Sequence, residues 1–235
     1  MGLVAPANVN PRFLPMPPPI LKRIDLDSAC RQLATADPRL GRMIARIGPC
    51  RLEPRYGERP HDALFRAIIY QQLSGKAART IYTRVLAIFD GTTTPTPAEV
   101  LAAPEAALRA AGLSRNKLLA LRDLAARTLD GTVPTLAQAR RLEDAILIER
   151  LVAVRGVGRW TAEMLLMFGL GRPDVLPVLD LGIRKGYAVT YGRRDLPRPD
   201  TMLRRAGRWR PYRTIASWYL WRAVDTATPG AEIIT

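Results

Sequence analysis

The chain has 235 residues, two cysteines, one histidine and a formal net charge of +15 at pH 7. Two cysteines exclude a disulfide framework and a four-cysteine iron–sulfur site, and one histidine excludes histidine-rich zinc sites and histidine-based triads. Because no amphipathic membrane helix or lipidation motif accompanies the positive charge, nucleic acid is favoured over a membrane as the partner. No signal-peptide pattern is present, so we expect a cytoplasmic, nucleoid-associated location.

Helical patterns dominate the chain after a proline-rich start. Residues 1–24 are predicted to form an extended N-terminal arm. Beyond it, Leu64, Ile68 and Leu73 recur at the spacing of one helix face. Residues 96–99, with the sequence TPAE, have the composition of a capping box with proline at the first helical position. Alternating apolar and polar residues typical of strands are nearly absent, so the sequence predicts an all-α fold.

The most informative segment runs from Leu151 to Gly186. It is predicted to contain a helix, a hairpin at Gly156–Gly158, a second helix and then a lone acid, Asp180. Glycine in a hairpin lets backbone N–H groups approach a phosphate, and the following helix N-terminus carries a partial positive charge. The segment therefore indicates an anion-binding hairpin followed by a carboxylate.

Three ordered segments carry a resemblance to a known family. They are HDALFRAIIYQQLSGKAARTI from His61 to Ile81, the hairpin followed by Trp160-Thr161-Ala162 and Asp180-Leu181-Gly182, and WRPYRTIASWYLW from Trp209 to Trp221. Together they resemble the helix-hairpin-helix superfamily of DNA glycosylases, in its DNA-3-methyladenine glycosylase II (AlkA-type) branch. The resemblance covers roughly residues 25–225.

The resemblance implies two helical lobes with a cleft between them. One lobe would comprise residues 62–168 and end in the helix-hairpin-helix. The other would combine residues 25–61 with residues 169–235. Neither the iron–sulfur cluster nor the N-terminal β domain of some relatives is expected, because the cysteines are too few and the helical pattern begins too early. Asp180 is expected at the mouth of the cleft.

Asp180 is the expected catalytic residue. Cleavage of an N-glycosidic bond develops positive charge on the deoxyribose, which a nearby carboxylate stabilises while it accepts a proton from the attacking water. A base alkylated at purine N3 or N7 already carries a positive charge, so no second acid is required. The alternative role of Asp180 is a helix N-cap. Asp174 is the competing acid and is better explained as a solvated turn residue.

Trp160 stands where the bifunctional glycosylase-lyases of this superfamily have a lysine that forms a Schiff base. Tryptophan cannot form one, so the resemblance implies a monofunctional enzyme. Trp160, Trp221 and Trp218 are expected to line the pocket for a flipped base, with core packing as the alternative for the last two. Relatives often have aromatic residues where this chain has Met164 and Leu181, so we expect a differently shaped pocket.

Further residues are expected to contact DNA. Gln72 matches the wedge that fills the space left by a flipped nucleotide, and Leu73 is expected to share that role. Contacts to phosphates are expected around the hairpin and the turn near residue 114; the candidates are Gly156, Gly158, Arg155, Arg159, Lys117 and Arg115. The resemblance also implies a Na or K ion on the carbonyl oxygens of Val152, Val154 and Val157, although no cofactor is expected to be required.

The leading hypothesis is a monofunctional, monomeric DNA glycosylase for base excision repair. Its substrates would be alkylated bases of the 3-methyladenine and 7-methylguanine type, flipped out of double-stranded DNA. One alternative is a glycosylase for deaminated or oxidised bases. A second is a non-catalytic helix-hairpin-helix DNA-binding protein, against which Asp180 and the C-terminal tryptophan helix argue.

Overall fold

The structure is a computed structural model that describes residues 20–89, 91 and 93–227. Residues 1–19 of the predicted arm therefore lie outside the described residues. Within those ranges the chain forms thirteen α-helices and no strand, which confirms the all-α prediction. The helices are α1 (Leu26–Ala36), α2 (Pro38–Ile47), α3 (Pro60–Tyr70), α4 (Gly75–Leu86), α5 (Pro97–Ala102), α6 (Glu105–Ala110), α7 (Arg115–Leu129), α8 (Leu136–Ala139), α9 (Asp144–Val152), α10 (Arg159–Met164), α11 (Leu181–Tyr191), α12 (Pro199–Ala206) and α13 (Arg213–Ala227).

Side-chain caps fix several helix starts. At α5 the predicted capping box is present: the Thr96 side chain accepts from the Glu99 backbone, and the Glu99 carboxylate accepts from the Thr96 backbone. The prediction for α3 is wrong at its end. The helix ends at Tyr70, so Leu73 lies beyond it and is 37% exposed.

Two hydrophobic cores give the fold its two lobes. The first core is built from residues between positions 63 and 175. The second is built from residues 21–52 together with residues 176–220. Phe168 and Trp221 pack against both cores and therefore lie at the junction. The residue boundaries of the lobes stay a prediction.

The crossing of α11 and α13 sets the geometry at this junction. A Cβ atom on Gly186 would lie 1.7 Å from the carbonyl oxygen of Leu220, so only glycine permits the observed approach of the two helices. The close crossing brings Trp221, one residue further along α13, towards the N-terminus of α11.

The end of the segment predicted as an arm packs onto the helical body. Leu21 lies in a 3₁₀-helical turn, is buried in the second core, and its N–H donates to the carbonyl of Gly171 at 2.7 Å. Throughout the described ranges, no helix combines the length and the apolar character needed to cross a membrane.

Candidate active site and nucleic-acid interface

Asp180 lies at the N-terminus of α11, where three N–H groups orient its carboxylate. Oδ1 accepts hydrogen bonds from the backbone N–H of Ile183 at 2.7 Å and from Trp221 Nε1 at 2.9 Å. Oδ2 accepts one from Trp160 Nε1 at 2.8 Å. Asp180 is thus an N-cap residue as well, so its structural alternative and its proposed chemical role are compatible. The structure brings together Asp180, Trp160 and Trp221 from three separate segments.

The face around Asp180 is open to solvent. Asp180 itself is half-buried, and its neighbours Leu179 and Leu181 are 65% and 53% exposed. Trp160 is 50% exposed although its indole N–H is bonded to the carboxylate. Exposed apolar side chains around an oriented carboxylate indicate a ligand-binding surface, and a base with its sugar is a ligand of suitable chemistry.

Phe168 is a site residue that the sequence prediction missed. Its ring stacks on Trp221 with centroids 5.9 Å apart and planes 28° apart. Phe168 lies in a π-helical turn, Leu165–Gly169, that continues α10, and such turns rotate the following side chains away from the α-helical register. The π turn was not visible in the sequence, so neither was the position of Phe168.

Gly182 has a role that the motif alone did not reveal. A Cβ atom there would lie 2.8 Å from Trp221 Cδ1 and 3.1 Å from Asp180 Oδ1. The missing side chain is therefore what lets the Trp221 indole reach the carboxylate.

Trp218 is not brought to this carboxylate. It packs against the second core, edge-on to the Tyr219 ring, with the Arg222 guanidinium 5.7 Å from its ring centre. The structure therefore favours the packing alternative for Trp218, whereas Trp221 contacts both the core and Asp180.

The expectation for Asp174 is corrected. Asp174 accepts from Arg213 Nε at 2.7 Å and from Arg210 Nη1 at 3.0 Å, so it is an ion-paired anchor for the start of α13. This pairing spans almost 40 positions of the chain, and no local pattern indicates it.

A second acid near the site, the buried Glu163, lies one turn along α10 from Trp160. It is 3% exposed and accepts from Arg159 Nε at 2.9 Å. Burial raises the pKa of Glu163 above its usual value. The Arg159 guanidinium lowers it in part, and the Asp180 carboxylate raises it further. Arg159, predicted to contact a phosphate, is thus held by Glu163 on its own helix and is 61% exposed.

The predicted wedge residues lie in the turn after α3. Gln72 and Leu73 are both exposed there, and Gln72 has φ +57°. The preceding Gln71 donates from Nε2 to the carbonyl of Gly156 at 3.0 Å, which joins this turn to the hairpin. A groove of about 390 Å³ lies beside them, and Gln71, Gln72 and Gly156 are among its lining residues.

The hairpin has the predicted glycine geometry and a side-chain support. Gly156 has φ +77°, a conformation that favours glycine. Asp123 Oδ2 accepts the backbone N–H of Arg155 at 2.7 Å and also pairs with Arg127, which fixes the hairpin to α7. The Arg155 side chain is exposed, and Arg115 is exposed at the first position of α7.

Lys117, predicted to contact a phosphate, is bonded largely within the protein. Its ammonium donates to the carbonyl oxygens of Ile69 at 2.6 Å and Gln71 at 2.8 Å. Two of its three N–H groups are therefore used within the protein, because the end of α3 offers carbonyls that lack helical partners. One N–H group remains, so the phosphate contact stays a prediction.

The hairpin carbonyls are the atoms that would hold the implied cation. The Val154 carbonyl accepts the N–H of Val157 at 3.0 Å, and a carbonyl oxygen retains a second lone pair in such a turn. Among the described residues, no group of three or more histidine, cysteine or acidic side chains could hold a metal ion.

Comparison with known proteins reveals one family. The model of the HhH-GPD superfamily of base excision DNA repair proteins matches residues 65–211. DNA-3-methyladenine glycosylase 1 of Schizosaccharomyces pombe is 39% identical over 80% of this chain and 82% of its own length. A crystal structure of DNA-3-methyladenine glycosidase from Bacillus halodurans superposes with a TM-score of 0.78 at 34% identity, over 85% of this chain and 90% of that one.

A structure with DNA is also similar. The 3-methyladenine DNA glycosylase of Schizosaccharomyces pombe in complex with abasic DNA superposes with a TM-score of 0.71 at 37% identity. The match covers 83% of this chain and 95% of that one.

Proposed function

The chain belongs to the HhH-GPD superfamily of base excision DNA repair proteins, and we propose that it uses Asp180 to excise alkylated bases from DNA. Its activity is that of a DNA-3-methyladenine glycosylase, which hydrolyses the bond between a damaged base and its deoxyribose. The observation that carries the assignment of Asp180 is the convergence of two indole N–H groups on this solvent-accessible carboxylate.

The free acceptor positions of Asp180 indicate how it acts. A carboxylate has about four acceptor positions, two on each oxygen. Oδ1 uses both of its positions for Ile183 and Trp221, whereas Oδ2 uses one for Trp160. The remaining position on Oδ2 is the one that would face the sugar, stabilise positive charge at C1′ and accept the proton of the attacking water.

The step balances without a second acid when the base is alkylated. The C1′–N bond breaks and its electron pair neutralises the cationic base, which leaves uncharged. Water adds its oxygen to C1′ and gives its proton to Oδ2. The fixed carboxylate needs no reorganisation as positive charge develops, which is the main source of catalysis in this account.

The residue at position 160 supports a reaction without a lyase step. The Trp160 N–H is committed to Asp180, and tryptophan has no amine that could attack C1′. Borohydride should therefore trap no covalent protein–DNA adduct, whereas efficient trapping would contradict the monofunctional assignment.

Base flipping and DNA binding belong to the same proposal. Gln72 and Leu73 would enter the space of the flipped nucleotide, and the N–H groups at Gly156 and Gly158 with Arg155, Arg159 and Arg115 would face phosphates. The net charge of +15 supports this binding mode. The protein would act as a monomer in the compartment that holds the genome.

A monovalent cation at the hairpin is a further part of the proposal. Na or K on the carbonyls of Val152, Val154 and Val157 would add positive charge beside the phosphate-facing N–H groups. Replacing KCl by tetramethylammonium chloride at constant ionic strength should then weaken DNA binding. Equal affinity in both salts would contradict the ion.

A substrate panel tests the proposed function directly. Release of 3-methyladenine, 7-methylguanine, hypoxanthine, 8-oxoguanine and uracil would be measured from defined duplexes under single-turnover conditions. Both methylated purines should be released fastest, because a cationic leaving group needs no acid. Preferential release of hypoxanthine, 8-oxoguanine or uracil would favour the alternative glycosylase, and binding without any release would favour a non-catalytic protein.

A further inference from the structure

The wedge turn, which is the segment after α3 that carries Gln72 and Leu73, is held in a conformation that its own residues do not favour. Among the described residues, Gln72 is the one non-glycine residue with positive φ. The last carbonyls of α3 have no further helical N–H donors, and glycine, which usually completes such a helix end, is absent from this turn. Something outside the turn must therefore hold it.

Lys117 stabilises this conformation from outside the turn. Its ammonium bridges the carbonyls of Ile69 and Gln71, the two residues that flank the last residue of α3, at 2.6 and 2.8 Å. A cation at a helix C-terminus also interacts favourably with the partial negative charge there. Burial lowers the pKa of this ammonium, as expected for a side chain directed into the protein.

Lys117 is itself placed by the start of α7 and belongs to a larger hydrogen-bonded unit. The Ser114 hydroxyl accepts the backbone N–H of Lys117 at 3.3 Å, which fixes the first turn of α7. The Gln71 side chain is in turn bonded to the Gly156 carbonyl. The wedge turn is thus tied to both α7 and the hairpin.

We propose that Lys117 is a positioning residue for base extrusion, whose ammonium keeps the turn rigid enough for Gln72 to displace a damaged nucleotide from the DNA stack. The inference rests on the proposed function, because it takes Gln72 as the wedge. If the turn changed conformation against the stacked bases, the damaged nucleotide would return to the stack. Loss of the two Lys117 hydrogen bonds should therefore slow extrusion and leave phosphate contacts intact.

The test compares Lys117→Met with Lys22→Met, which removes the same charge from an exposed lysine in the second lobe. Single-turnover excision of 7-methylguanine from a duplex should slow about 10-fold in the Lys117 variant and should not change in the Lys22 variant. The defect should largely disappear when the lesion lies opposite an abasic site, where extrusion breaks no base pair.

The salt dependence of binding separates positioning from phosphate contact. A lost phosphate contact reduces the slope of log K against log[salt] by about one. If Lys117 is a positioning residue, Lys117→Met should have the same slope as the unmodified protein. A reduced slope together with a normal excision rate at saturating enzyme would overturn this role.

A double-mutant cycle with Gln72→Ala gives the most specific readout. If Lys117 acts through Gln72, the double variant should be no slower than the slower single variant, whereas multiplied effects would overturn the inference. Should Lys117→Met not fold, Lys117→Gln, which lacks the charge and carries an amide NH2 group on a side chain one bond shorter, takes its place with the same expectations. Absence of excision by the unmodified protein would instead refute the proposed function itself.

Discussion

Asp37 and Asp180 share two hydrogen-bonding features in two different parts of the molecule. Each caps a helix, since Asp37 accepts the N–H of Leu40 at the start of α2 and Asp180 accepts that of Ile183 at the start of α11. Each also accepts an indole N–H: Asp37 from Trp209 at 3.3 Å, and Asp180 from two tryptophans. Neither the cap nor the indole therefore distinguishes a structural aspartate from a functional one.

Exposure and charge pairing make the difference. Asp37 is 1% exposed, accepts the Tyr191 hydroxyl at 2.8 Å and pairs with Arg205 at 3.2 Å. Asp180 is half-buried, and within the described part of the chain no basic side chain lies within 4.0 Å of its carboxylate. A carboxylate without a protein cation is available to a cationic transition state, whereas the negative charge of Asp37 is already paired with Arg205.

Replacement of Asp37 should have the largest effect on stability. Asp37→Asn keeps the cap and loses the charge that Arg205, Tyr191 and Trp209 stabilise, so the free energy of unfolding should fall by about 2–3 kcal/mol. Urea denaturation measures it. Excision by the folded variant should be unchanged, and a large loss of rate at unchanged stability would reverse the assigned roles.

The pH dependence of that effect follows from the pKa of Asp37. Burial raises this pKa, but bonds from Tyr191, the Leu40 backbone, Trp209 and Arg205 outweigh it, so the pKa lies below its usual value of 3.8. The charged form therefore contributes stability above pH 3.8 that is lost as the pH falls through the lower, folded-state pKa. The stability difference between the protein and Asp37→Asn should be full at pH 7 and should shrink in acid.

Replacement of Trp221 tests whether indole donors matter to the half-buried carboxylate of Asp180. Trp221→Phe keeps a ring against Phe168 and deletes the N–H that Asp180 Oδ1 accepts. The single-turnover rate should fall about 10-fold, equivalent to about 1.4 kcal/mol in the barrier. The matched control, Trp218→Phe, should stay within about twofold of the unmodified protein because Trp218 packs away from Asp180. Equal losses in both variants would indicate a general packing effect.

A smaller loss is expected from a single added methyl group. Gly182→Ala places a Cβ atom 2.8 Å from Trp221 Cδ1, so the indole must shift and the excision rate should fall about fivefold. Gly207→Ala is the control, since its added Cβ meets nothing within 4 Å. The same rate for both alanine variants would show that Trp221 can move without consequence.

The features visible in the sequence were those set by short-range chemistry. The capping box at Thr96, the glycine hairpin at Gly156 and the helix cap at Asp180 each depend on residues a few positions apart, whereas the catalytic role of Asp180 came from the family resemblance. Such patterns follow from backbone hydrogen bonding and glycine stereochemistry, so one sequence is enough to predict them.

The features missed depend on contacts between distant segments or on a change in helical register. The Lys117 ammonium reaches carbonyls 46 and 48 positions earlier, and nothing in its local sequence distinguishes it from a solvated lysine. Asp174 likewise pairs with Arg213, 39 positions later. Phe168 reaches Trp221 through a π-helical turn, which no periodicity in the sequence predicts.

The most direct test is the single-turnover rate of 7-methylguanine release by Asp180→Asn, measured at saturating enzyme. Asparagine keeps the helix cap, so folding and salt-dependent duplex binding should be retained. The rate should be at least about 100-fold lower, because the charge that stabilises the cationic sugar is lost. A variant that releases the base within a few-fold of the normal rate would contradict the assignment of Asp180 as the catalytic carboxylate.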